Sequence, residues 1–298
     1  MTFFQKIGYY LLRGVCLCFG ALPFVVLYYP MSWLVYVIVY KLCKYRVNIV
    51  RANLERAFPE YTNEKRSEIE KKFYKNLAET FIDTLDISGL TSRQVARRIS
   101  IEDLDEHKKR VEGKDWISAM AHYGSWEYTS TYCFFDDTHN LAAIYRPLHS
   151  KVFDRFFKTF RTQYGANVVP MAEIIRFVIS NKRDPKSSNV VLAMIADQVP
   201  MRKSHPVQIQ FLGQDTLFFS GVEKMALKFN MPVYFLHIEK PGRAKYIYRF
   251  DMIYDGEEQV QEHEITRRYA QKLEEMVRQR PELWLWSHRR WKRTKASV

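Results

Sequence analysis

The chain has 298 residues, 47% of them hydrophobic, with 46 Lys and Arg against 33 Asp and Glu, a formal charge of +13. That length allows one large α/β domain or two small ones with a substantial core. The charge favours anionic partners, whether nucleic acid, acidic protein or an anionic membrane surface. The four cysteines, Cys16, Cys18, Cys43 and Cys133, include no C-x-x-C pair, which argues against both a disulfide framework and a zinc site.

Residues 14–40, "GVCLCFGALPFVVLYYPMSWLVYVIVY", contain no charged side chain. A bilayer-spanning helix needs roughly 20 apolar residues, and this run is longer. It is also too long and aromatic for a signal peptide, and no small-residue cleavage site follows it. Pro23 and Pro30 interrupt it, each removing a backbone donor and favouring a kink. Two membrane geometries fit: one kinked span, or two short helices that dip into one leaflet and return. A buried helical hairpin is the soluble alternative. Lys6 and Arg13 precede the run and Lys41, Lys44 and Arg46 follow it, so the charge asymmetry that orients spans gives no direction. Trp33 and the tyrosines suit a membrane interface. We expect residues 1–46 to be a hydrophobic membrane anchor and 47–298 a single domain.

After the anchor, apolar residues recur at helical spacing, with Leu77, Phe81 and Leu85 on one expected face and Thr62 opening a helix. From about residue 115 short apolar runs alternate with amphipathic stretches. The expected strands are 116–121, 141–145, 167–171, 189–196, 207–212, 232–239 and 246–254. The expected helices are 125–135, 150–164, 171–182, 218–230 and 260–280. This alternation predicts an α/β fold, with a mixed, mostly parallel central sheet flanked by helices.

The stretch "AHYGSWEY" follows the first of these strands. His122 and Glu127 lie five positions apart, about 500 degrees of rotation on a regular helix, so one helix would separate them. They meet if His122 ends the strand, Gly124 turns the corner and Ser125 caps a helix holding Glu127. A carboxylate beside a histidine fixes the imidazole tautomer and supports the imidazolium. Ser125 is not in a G-x-S-x-G elbow, so no protein nucleophile accompanies the pair. A substrate hydroxyl deprotonated by His122 would supply one. The competing reading is a purely structural corner.

Arg146, Asp197 and Gln198 also follow strands, where open α/β sheets bind ligands. Arg146 suits a phosphate or a developing oxyanion, or is a surface arginine beside a turn proline. Asp197 suits a pairing with His122 or Arg146, or is a cap. Gly213 and Gly221 suit close approach of an acyl chain or plain turns. "WLWSHRRWKRTK" joins aromatics to basic residues, suiting a membrane or acidic carrier protein through Arg289, Arg290 and Lys292. The same mix suits nucleic acid, but no nucleic-acid motif accompanies it. His288 suits a structural hydrogen bonder. His107, His139, His149, His205, His237 and His263 lack ligand spacing, and no metal site is expected.

Taken together, "YRVNIVRANLERAFPE", "AHYGSWE", "YRP" at 145–147, "ADQ" at 196–198, "FLG" at 211–213 with "GVEKMALKFNMPV", and "RPELWLWSHRRWK" resemble the lipid A biosynthesis acyltransferases, late acyltransferases of the lysophospholipid acyltransferase superfamily with its H-x4-D/E motif. The resemblance covers nearly the whole chain, six blocks in order. "DQVPMRKSHP" and "QDTLFF" depart from the usual continuations and bear on acceptor and chain length. The resemblance implies an acyl carrier protein thioester as donor, a hydroxyl of a lipid A precursor as acceptor, His122 as base and Glu127 as its orienting partner. It implies no cofactor, and a place on the cytoplasmic face of a Gram-negative inner membrane. The nearest rival is the same chemistry on an aminolipid or glycolipid, from carrier protein or coenzyme A. A non-catalytic membrane scaffold and a basic nucleic-acid binder are rivals of other classes.

Overall fold

The computed structural model describes residues 1–200 and 206–292. His205 and the basic residues after 292 lie outside the described residues.

The N-terminal third is helical. Helix α1 (Phe3–Gly20) opens on a capping box, in which Thr2 accepts from the Gln5 amide and the Gln5 side chain accepts from the Thr2 amide. Next come α2 (Phe24–Val26) and α3 (Ser32–Tyr36), joined and extended by wide π turns at Leu27–Met31 and Val37–Leu42. Together they form one continuous apolar helix, Phe24–Leu42. Pro30 sits in the first wide turn, where its missing donor is tolerated. Then follow α4 (Val47–Ala57), α5 (Asn63–Asp86) and a short α6 (Ser92–Ala96). Thr62 caps α5 as expected, accepting from the Lys65 amide. Leu85 is buried on α5, but Phe81, expected on the same inner face, is exposed.

The remainder is α/β. The central sheet has seven strands: β1 (Ile99–Ile101), β2 (Trp116–Met120), β3 (His139–Tyr145), β4 (Asn167–Pro170), β5 (Asn189–Ile195), β8 (Val233–Gly242) and β9 (Lys245–Tyr254). Their order across the sheet is β1-β9-β8-β2-β5-β3-β4. β8, β2, β5, β3 and β4 run parallel, while β9 pairs antiparallel with β8 and carries β1 parallel to itself. The mixed, mostly parallel sheet is the expected architecture. Every residue of β2 is buried, because a central parallel strand is covered on both faces.

Helices α7 (Leu104–Val111), α8 (Lys151–Thr162), α9 (Ile174–Arg183), α10 (Gly221–Phe229) and α11 (Glu264–Gln279) accompany these strands. Two departures bear on the site. The stretch expected as a helix over 125–135 is a 3₁₀ segment, Trp126–Phe134. The strand expected at 207–212 does not join the central sheet: β6 (Val207–Phe211) pairs only with β7 (Gln214–Phe218), a hairpin outside it.

Candidate active site

β2 and β5 are neighbours in parallel register, Met120 beside Ile195, and the Ala196 amide donates to the Met120 carbonyl. His122 and Asp197 therefore emerge together at the carboxyl edge of the sheet. The His122 amide donates to Asp197 Oδ2 at 3.0 Å, and His122 Nδ1 stands 2.7 Å from Asp197 Oδ1. The Trp284 indole donates to Oδ2 at 2.9 Å. Burial alone would raise the pKa of this carboxyl, but the His122 charge and these hydrogen bonds outweigh it and hold Asp197 below the usual carboxylate range. An ionised carboxylate only accepts, so Nδ1 is the nitrogen that carries the proton in the neutral imidazole, which makes Nε2 the one that can accept. The His122 side chain is 18% exposed. The Gln198 amide lies 3.2 Å from Nε2, and the Trp126 ring meets the imidazole edge to face at 5.1 Å.

The backbone around His122 is fixed from two sides. Gly124 turns the corner at φ +55°, and a Cβ there would come within 3.4 Å of Ile238 and 3.5 Å of Tyr246. The Gly124 amide donates to the Leu283 carbonyl, and the Leu285 amide donates to the His122 carbonyl. Tyr123 and Trp284 thus form an antiparallel bridge that ties the C-terminal segment to the His122 corner. Ser125, expected as a helix cap, makes no capping bond; its hydroxyl is buried without a hydrogen-bond partner among the described residues.

Glu127 does not reach His122. Its two carboxylate oxygens accept from one guanidinium, Arg161 Nε at 3.0 Å and Nη2 at 2.7 Å, in a fork that turns the carboxylate toward α8. Burial lowers the Arg161 pKa, and the Glu127 charge and hydrogen bonds more than reverse it. The orienting partner expected for His122 within its own H-x4-E stretch is therefore replaced by Asp197, a residue 75 positions away. Asp197 thus takes the first of its two expected pairings. The signal for Arg161, an arginine on an amphipathic helix, was too common to single out.

The other expected site residues divide. Arg146 follows the carboxyl end of β3, beside β5, and is exposed with no ion pair among the described residues. Gln198 is exposed beside the imidazole. Gly213 is the tip of the β6–β7 hairpin. Leu212 and Gly213 both take positive φ, +50° and +70°, the pattern of a two-residue hairpin turn. Turn geometry accounts for this glycine, and nothing lies within 4 Å of where its Cβ would be. Trp33, Arg289 and Lys292 are exposed.

Arg290 is not. It is 2% exposed, with Nη1 donating to the Leu217 carbonyl at 2.8 Å and the guanidinium 4.5 Å over the Phe218 ring. Burial lowers its pKa to about 10 against the pull of Asp197 and Tyr269. The contact expected of it with a membrane or carrier is therefore replaced by an internal one: the segment turns its cation inward beneath Asp197. Trp284, Trp286 and Trp291 are buried with it. Three tryptophans within eight residues signal a buried segment, an indication the basic residues between them mask. His288 accepts from the Val199 amide at 3.2 Å, and burial pushes its pKa down to about 4 against the pull of Asp197. It is a neutral hydrogen bonder just behind the Asp197 loop.

A histidine whose tautomer is fixed by a buried carboxylate, with Nε2 at the open edge of a sheet, can take a proton from a bound hydroxyl. Across residues 2–293 the chain matches the family described as bacterial lipid A biosynthesis acyltransferase. No curated protein matches it.

Proposed function

Because the chain belongs to the bacterial lipid A biosynthesis acyltransferase family, we propose that it moves a fatty acyl chain from an acyl carrier protein thioester to a hydroxyl of a lipid A precursor, with His122 as the base. The observation that supports this most is the 2.7 Å contact of His122 Nδ1 with Asp197, which leaves Nε2 as the basic nitrogen. The acceptor hydroxyl gives its proton to Nε2. Its oxygen attacks the thioester carbonyl, forming the new C–O bond. Arg146, exposed at the end of β3, or nearby backbone amides steady the tetrahedral oxyanion. The C–S bond breaks, and the His122 imidazolium returns the proton to the leaving thiolate.

Asp197 orients His122 and offsets the charge that His122 gains in the transition state. Glu127 is a positioning residue. Its fork with Arg161 ties the 3₁₀ segment that carries Trp126, and so the ring against His122, to α8. Gln198, beside Nε2, gives way to the acceptor hydroxyl or hydrogen-bonds it. In this reading the body lies on the cytoplasmic face of the inner membrane of a Gram-negative bacterium. Trp33 contacts the lipid, and Arg289 and Lys292 face the acidic carrier protein.

The test is mass spectrometry of lipid A from cells lacking the protein, complemented with wild type or His122→Ala. Loss of one acyl chain, restored by wild type but not by His122→Ala, supports the reaction and the base together. Unchanged lipid A in the deletion would sink the acceptor assignment.

A further inference from the structure

The helix Phe24–Leu42 is the one helix among the described residues long and apolar enough to cross a membrane. We infer that it does not cross. It lies flat, with its outer face in one leaflet of an anionic phospholipid bilayer. The inference rests on the proposed membrane association and adds its geometry.

The helix is fastened along its length to α5. At one end the Tyr28 hydroxyl stands 2.6 Å from Asp83 and 3.1 Å from Asp86. At the other the Tyr40 hydroxyl donates to Glu70 at 2.8 Å, and its ring stacks on Tyr74 at 4.5 Å. Residue numbers fall along α5 as they rise along this helix, so the two run antiparallel. The wide π turns slow the helical rotation, which keeps Tyr28, Ser32, Tyr36 and Tyr40, at every fourth position, on the face toward α5.

Two solvent-exposed cations bracket this contact. The Arg243 guanidinium lies 4.4 Å over the Tyr29 ring, donates to the Tyr28 carbonyl and pairs with Glu79, with its side chain 41% exposed. Arg51 forks onto Glu70 beside Tyr40 and is 57% exposed. The eleven residue steps from Tyr29 to Tyr40 span at most about 17 Å of helix, against a hydrocarbon core of about 30 Å. A crossing would therefore hold at least one of these cations inside the hydrocarbon. Neither can stretch to the interface, because each is pinned by its carboxylate.

The opposite face of the helix fits a leaflet surface. Val25, Tyr29, Trp33, Leu34, Ile38 and Leu42 are exposed along its length. The first 54 residues contain no Asp or Glu but six basic residues, among them Lys6, Arg13, Lys41 and Lys44. An apolar stripe rimmed only by cations complements an anionic headgroup layer.

The experiment places a spin label at V25C, W33C and L42C in turn, in the full chain with its four native cysteines replaced by alanine. Each is bound to vesicles of phosphatidylethanolamine and phosphatidylglycerol, and its immersion depth is read. A flat helix gives three shallow depths, about 5–10 Å into the headgroup boundary. A span puts Trp33 deepest, by about 12 Å over Val25, and overturns the inference. The wild-type chain gives a second reading that needs no substitution. Cys18 and Cys43, both exposed, flank the helix. In sealed vesicles made from the membrane of a bacterial expression host, an impermeant maleimide should never reach Cys18 from the side opposite Cys43. Labelling from opposite sides overturns the inference. A chain that stays in the supernatant removes the membrane itself, which separates that failure from this one.

Discussion

The protein buries two aspartates that do opposite things. Asp197, beside His122, is held below the usual carboxylate range. Asp83, at the seam between α5 and the apolar N-terminal helix, is raised. Both are shielded from water, and burial is the largest influence on each. The partners decide the sign. Asp197 accepts from an imidazole that becomes a cation in contact with it, from an indole and from a backbone amide. Asp83 accepts from two phenols, Tyr28 and Tyr246 at 2.6 and 2.5 Å. The nearby Arg98 gives its hydrogen bonds to Asp86, Tyr28 and Tyr128 instead. Lys240, close enough to lower the Asp83 pKa, donates to Asn76 and Glu79. A chargeable donor in contact brings a buried carboxyl's pKa down. Two phenols and a cation at one remove leave it raised.

The largest expected effect follows from removing the charge at the first of these sites. Asp197→Asn should lower kcat by about 10²–10⁴-fold, the range of a lost general-base function, with KM little changed. An amide facing Nδ1 donates where the carboxylate accepted, which favours the wrong tautomer. Steady-state kinetics with an acyl thioester read this directly. A full-strength Asp197→Asn enzyme would remove Asp197 from the mechanism and reopen Glu127 as the partner.

Glu127→Gln comes next. It leaves the Arg161 charge buried without its counter-ion, and breaking such a pair costs about 3–5 kcal/mol. Thermal unfolding should record a lower Tm, and kcat should fall about 10–100-fold, within the cost of misplacing the groups around the reacting centre. The kcat–pH profile should keep its shape, because Glu127 does not touch the imidazole. A profile displaced as in Asp197→Asn would contradict the positioning role.

The smallest effect on turnover belongs to Asp83→Asn, expected within about 5-fold of wild type, since its link to the His122 corner runs only through the ring of Tyr246, its hydrogen-bond partner, packed at Gly124. Its signature lies in stability against pH. A raised native pKa means that Asp83 stabilises the fold at low pH and that this contribution is lost as pH rises from the unfolded value near ~3.9 toward the native one. Asp197, with a depressed native pKa, contributes the reverse: stability present above the unfolded value and lost as pH falls through the native one. Denaturant unfolding followed upward in pH from the unfolded carboxyl value should give Asp83→Asn a smaller loss on raising pH than wild type. An unaltered slope would mean that Asp83 is charged in the native state.

The strands were legible because buried parallel strands read as unbroken apolar runs, and "WISAM" and "NVVLAMI" are such runs. β7 was not, because "QDTLF" opens on two polar residues and carries too short an apolar stretch to stand out as a strand. At the site, His122 was legible from its position after a strand. Its partner was not fixed by the local sequence: Glu127 stands five residues away in the chain, while Asp197 arrives through the pairing of β2 with β5. Separation along the chain says little about which carboxylate a fold delivers. The same holds for Arg161, brought to Glu127 by α8, and for Arg290, where counting charges suggested a surface and three buried tryptophans carried the decision.

The antiparallel bridge between Tyr123 and Trp284 also sets an order in time. Synthesis proceeds from the N-terminus, and early parts of a chain begin to fold before later ones exist. The apolar helices are made first and can settle on lipid while the sheet is still incomplete. His122 and Asp197 follow, yet Asp197 lacks its indole donor, and the backbone at 122–124 lacks its strap, until residues 283–285 have emerged. A nascent chain of this protein therefore completes its apolar helices first and the His122–Asp197 corner last, so under the proposed function it would meet lipid before it can turn over.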